Sequence, residues 1–173
     1  MNKKTWRIVG RFVLLILIQL LVLNYVKLGT YVMIPPMLYL LAILMLPTDM
    51  KRIPLLLTAF GTGLLVDIMN NMLGFHALAC TVVAMMRILF ANRILTRGEP
   101  ITVSTPSIYS VSPQYFISYL LILFSIFYLV FFTVDAFGFR SFGSILLSTI
   151  ANTLATTLLA VLYQFIFLKK ETL

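Results

Sequence analysis

The sequence predicts an all-α integral membrane protein: a six-transmembrane-helix bundle forming a single transmembrane domain over residues 1–173. Three observations lead there. Hydrophobic side chains make up 61% of the 173 residues and charged ones only 10%, against about 45–50% and about 25% in soluble globular chains. Mean hydropathy is +1.06. That excludes disorder, because disordered chains are short of apolar residues. It also excludes a soluble domain, since so short a chain would have to expose much of its apolar surface. Finally, the apolar residues gather into runs near the ~20 that a spanning helix needs.

The elements follow in chain order. A first helix over about 8–27 comes after the basic start MNKKTWR. Basic start and apolar core have the shape of a signal sequence, but the following NYVKLGTYVM lacks an A-x-A-like cleavage site, so the segment reads as a retained helix. The second helix, about 31–46, carries Pro35-Pro36 in its first turns and ends at Pro47. Its short apolar run leaves a re-entrant course open. The basic turn Asp49-Met50-Lys51-Arg52 leads into helix three at about 53–69, Asn70-Asn71 make the next turn, and helix four covers about 74–93. A Ser-, Thr- and Pro-rich loop spans about 94–113, longer than most connections. It reads either as a flexible link or as a partner contact inside the cell. Helix five covers about 114–134, Asp135 to Ser141 form a turn, and helix six covers about 142–168.

Formal charge is +8, and its distribution sets orientation. With the N-terminus inside, Lys3, Lys4, Arg7, Lys51, Arg52, Arg93, Arg97, Lys169 and Lys170 are cytoplasmic, and only Lys27 and Arg140 are outside. This is a strong positive-inside pattern, and six spans place both termini in the cytoplasm. Trp6 fits the inner interface, and Tyr25 and Tyr31 fit the outer one. The basic residues flank apolar runs, and no zinc finger, RNA-binding signature or long basic run accompanies them. Membrane lipids are therefore the expected contact and nucleic acid is not. Cys80 is the only cysteine, which rules out an internal disulfide and a cysteine metal cluster; it reads as a packed hydrophobe.

Polar groups inside the membrane are the functional candidates. Ala59, Gly63 and Asp67 are four apart and share one face of helix three. The small residues allow a close helix neighbour, and Asp67 lies a turn nearer the outer surface. Gly74 permits a tight reversal, and His76 starts helix four at the depth of Asp67, within reach of a hydrogen-bonded pair. The reading of that pair divides between a structural tie and a proton relay or ligand contact. Arg11 and Arg87 lie nearer the cytoplasmic face, where snorkelling to the inner headgroups accounts for both. Helix six puts Ser148, Asn152 and Thr156 on one face beside Ala151 and Ala155, with Asn152 near the bilayer centre. That face serves as interhelical glue or, on a sharper reading, as a solute-binding surface. Phosphate-binding loop, H-E-x-x-H and G-x-S-x-G signatures are missing. One histidine and five acids leave little material for hydrolysis or metal chemistry. The sequence accordingly predicts no catalytic residue, no metal site and no cofactor.

The segment Phe60-x-x-Gly63-Leu64-Leu65-x-Asp67, followed by Leu73-Gly74-x-His76-Ala77-Leu78, resembles the signature of the rod shape-determining membrane protein family, MreD. The chain length, a Pro-led second helix, a basic turn before helix three and the mid-membrane Asn152 agree with it. Pro35-Pro36 stands where that family more usually has Pro and a polar residue. The resemblance implies a non-enzymatic subunit of the bacterial cell-elongation machinery in the cytoplasmic (inner) membrane. It implies MreC as main partner, with MreB and the elongation transpeptidase and glycosyltransferase reached through the complex. It also implies an architecture similar to the substrate-binding subunits of energy-coupling-factor transporters, so a solute-binding subunit of a vitamin-type transporter is the alternative function. Residues 12–26, FVLLILIQLLVLNYV, contain no Gly or Ala for the coupling face such a subunit would need.

Overall fold

The computed structural model describes residues 3–23, 35–94, 105–136 and 142–167. Every regular element among them is helical: α1 Lys3–Leu21, α2 Tyr39–Leu44, α3 Arg52–Asn70, α4 Phe75–Ile94, α5 Pro113–Ala136 and α6 Phe142–Phe167. Three of these, α3, α5 and α6, are long and apolar enough to cross a membrane. The apolar stretch of α4 is shorter, Phe75–Phe90, and α1 carries Lys3, Lys4, Arg7 and Arg11 in its first half.

The pattern of burial is compatible with a membrane setting. Leu57, Phe60, Ile68, Leu147, Leu154, Leu158 and Phe165 face outward, whereas Thr62, Asp67, Asn152, Thr156 and Gln164 are buried. A water-soluble fold would expose the second set and cover the first. In lipid the helices gain nothing by hiding leucine, so close packing and interhelical hydrogen bonds hold them together.

The packing order is α3 on α4, α4 on α5 and α5 on α6, with α2 wedged among α1, α4 and α5. The α5 helix supplies an aromatic spine. Phe124, Phe127, Tyr128, Phe131 and Phe132 are all buried at helical spacing, and the Phe127–Phe131 and Tyr128–Phe132 rings stack at 6.0 Å.

The second helix corrects the expectation most. Among the described residues of the expected 31–46 helix, 35–46, only Tyr39–Leu44 is α-helical; at 1.5 Å per residue α2 is about 9 Å long and cannot by itself cross a bilayer. Pro35 and Pro36 lack N–H groups and disfavour helical backbone before them, and Pro47 closes the other end. The α1 helix begins at Lys3 and ends at Leu21 rather than covering 8–27. The other four helices lie within two residues of the expected bounds. Residues 24–34, 95–104 and 137–141 lie outside the described residues. So do Tyr25, Tyr31, Lys27, Arg97, Arg140, Lys169 and Lys170, on which part of the orientation argument rests.

Candidate functional site

Polar chemistry inside the bundle is concentrated at three places, beginning where α3 turns into α4. The α3 helix ends on Asn71 in the left-handed conformation (φ 53°), with Met72 N–H donating back to the Asp67 carbonyl at 2.9 Å. Gly74 at φ 91° completes the reversal, a backbone setting that favours glycine. The Asp67 side chain then caps the next helix. Its Oδ1 accepts from the His76 backbone N–H at 3.1 Å and lies 2.8 Å from His76 Nδ1, and its Oδ2 accepts from Ala77 N–H at 2.8 Å. A carboxylate only accepts, so Nδ1 carries the proton of that bond. These backbone donors belong to the first turn of α4, where no helical partner exists and the helix dipole favours a negative charge. Asp67 is 1% exposed. Within the chain, Ala59 and Gly63 occupy the same buried face, and the Gly63 backbone lies directly against Ala77.

The second place is α2, whose two ends are satisfied by side chains from other helices. At its start, Met37 N–H donates to Tyr128 Oη at 3.0 Å and Leu38 N–H donates to Gln19 Oε1 at 2.7 Å. Tyr128 Oη in turn hydrogen-bonds Thr156 Oγ1, so α2, α5 and α6 meet at one hydroxyl. At its far end, the Arg87 guanidinium donates through Nη2 to the carbonyls of Leu46 and Pro47. Arg87 is 3% exposed. It does not snorkel to headgroups; it is buried and holds the two carbonyls that follow the end of α2. Arg11 is partly exposed and borders a small apolar crevice with Phe12, Leu15, Ala42 and Met45.

The third place is the inner face of α6. Ser148, Asn152 and Thr156 are together and buried there, as their spacing predicts. Asn152 Nδ2 donates to the Ser148 carbonyl at 2.8 Å. Further down, Gln164 Oε1 accepts from Ile108 N–H at 2.8 Å, which ties residues 105–112 to the bundle. This part of the 94–113 loop is thus docked, with Pro106, Ser107 and Ile108 buried.

Both small or polar faces named from the sequence are therefore covered by the chain itself. Aromatic rings lie between the first place and α2: His76 stands 4.7 Å from Phe131 and 6.4 Å from Tyr39, centroid to centroid. Sequence reading missed Gln19, Tyr128 and Gln164, each a single polar residue in an apolar run; the first two are legible only once α2 is seen to need caps, and Gln164 only once residues 105–112 are seen to dock on the bundle.

A His–Asp pair is part of many hydrolytic triads. Here, however, His76 Nε2 has no hydroxyl or thiol within hydrogen-bond reach, and Cys80 lies buried against Tyr39 Oη at 3.6 Å. Among the described residues no group of three His, Cys, Asp or Glu side chains could hold a metal ion. What the structure shows at Asp67 and Arg87 is side chains hydrogen-bonded to backbone beside helix ends. Comparison with protein-family models, curated proteins and solved structures finds no match to this chain.

Proposed function

We propose that the protein is an MreD-like, non-enzymatic subunit of the bacterial cell-elongation complex, resident in the cytoplasmic membrane. On this reading it binds MreC and, through the complex, MreB and the elongation transpeptidase and glycosyltransferase. In this way it helps organise peptidoglycan synthesis and cell shape. One observation carries the reading. The residues of the resembling motif are the ones that build the α3–α4 tie: Gly63 at the close approach, Asp67 on the first turn of α4, Gly74 in the turn and His76 against the carboxylate. A motif spent on rigidity suits a subunit that works by contact. The proposed topology keeps both termini inside, the chain returning across the membrane between α1 and α3 through the segment that contains the short α2.

The rival is a solute-binding subunit of a vitamin-type transporter, favoured by the polar inner face of α6. Against it stands the outward face of α1, where, among the residues whose burial is described, Val9, Val13, Leu17 and Leu21 leave Gly10 as the one small residue.

The test is Asp67→Ala in the native bacterium. The proposal expects less recovered complex and rounded cells; rods of normal shape with wild-type complex yield would contradict it.

A further inference from the structure

Thr149, Asn152 and Thr153 hold hydrogen-bonding capacity that the chain does not use. They are 4%, 0% and 3% exposed, and Thr149 Oγ1, Asn152 Oδ1 and Thr153 Oγ1 make no hydrogen bond within the protein. Positions i, i+3 and i+4 place all three on one face within about a turn.

Other helical threonines show what is unusual here. The hydroxyls of Thr58, Thr62, Thr81, Thr133 and Thr157 each donate to the carbonyl four residues back, at 2.6–2.7 Å. That bond is the standard local outlet for a hydroxyl proton on a helix. Thr149 and Thr153 do not take it, and the Asn152 amide is committed to Ser148 O, which leaves Oδ1 as a free acceptor. Unpaired polar atoms are costly to bury and few in native proteins. Three on one turn of a helix that crosses hydrocarbon call for a partner from outside the chain.

We infer that this face binds a neutral hydrogen-bonding molecule, either water or a small hydroxyl-bearing solute. The Asn152 carbonyl only accepts, so the ligand must donate to it; an O–H does this and its oxygen can also accept from either threonine hydroxyl. No buried residue of α6 is charged, so an ion finds no counter-charge on this face. Asn152 is about 15 Å along the helix from Phe142, near the middle of α6. The inference rests on membrane embedding and not on the identity of any protein partner.

A thiol scan tests it. In a Cys80→Ala background, Thr149→Cys and Thr153→Cys are treated with methyl methanethiosulfonate, a small neutral reagent that needs a thiolate and hence a hydrated thiol. Leu154→Cys and Leu158→Cys, on the outward face, serve as lipid-facing controls. Reaction about tenfold or more faster than the controls, in native membranes and after detergent extraction alike, identifies water. Slow reaction in membranes that becomes fast after extraction and dialysis identifies a bound solute. Rates matching the controls in both preparations overturn the inference. Thr149→Val and Thr153→Val give a check free of cysteine: a bound partner predicts a lower melting temperature, and a raised one overturns the inference.

Discussion

Gly63 and Ala77 lie so close that a methyl carbon added to Gly63 would fall 2.5 Å from the Ala77 Cα and 2.6 Å from its backbone nitrogen. The obstacle is backbone, which cannot swing aside. One turn further along α3, Asp67 bonds the N–H of the same Ala77. The absent side chain and the carboxylate therefore depend on each other: the helices must touch at Gly63 for Asp67 to reach the first turn of α4.

Gly63→Ala is expected to destabilise the bundle by about 1–3 kcal/mol, the usual cost of overpacking. Gly61→Ala, two residues away with nothing within 4 Å of the added carbon, should instead stabilise α3 by about 0.5–1 kcal/mol. Thermal unfolding of both variants in one detergent checks the contrast, and equal effects would remove the close approach as its cause.

Asp67→Ala leaves the N–H groups of His76 and Ala77 buried without their acceptor, at about 1–3 kcal/mol for each. Asp67→Asn keeps one acceptor oxygen and should lose clearly less. The melting temperatures should fall in the order wild type, Asn, Ala.

Arg87→Met, which matches much of the side chain's bulk, leaves the Leu46 and Pro47 carbonyls without their donor. The effect should be local to the far end of α2. Hydrogen exchange should quicken at Leu44–Leu46 while α6 keeps its protection. Uniform loss across all helices would mean that Arg87 holds the whole bundle instead.

Tyr128→Phe removes the hydroxyl shared by Met37 N–H and Thr156. Because one oxygen serves both, Tyr128→Phe and Thr156→Val should be non-additive, with a coupling of about 0.5–3 kcal/mol in a double-mutant cycle. Additive losses would mean that the two groups act separately.

Four of the six helices were legible in the sequence because long apolar runs end at strong punctuation: Arg52, Asn70-Asn71, Gly74 and Pro113. The Asp67–His76 meeting was legible too, since nine residues across one tight turn leave the two side chains few other places to be. The second helix was not. Hydropathy counts apolar residues, and the run from Pro36 to Leu46 is apolar because it is surrounded by protein, not because it faces outward. That error hid the roles of Gln19, Tyr128 and Arg87. Spacing along α4 gives the depth of Arg87 but not its direction, and its target exists only once α2 has stopped short at Leu44. Thr149 and Thr153 gave no signal, because a helical threonine usually pairs with its own backbone.

The most direct test of the assembly reading is affinity isolation of the tagged protein from its own bacterium in mild detergent, with co-purifying proteins identified by mass spectrometry. The account predicts MreC together with the elongation transpeptidase and glycosyltransferase. Recovery of paired ATPases and a second transmembrane coupling protein, without MreC, would contradict it and make the polar face of α6 part of a transported solute's site.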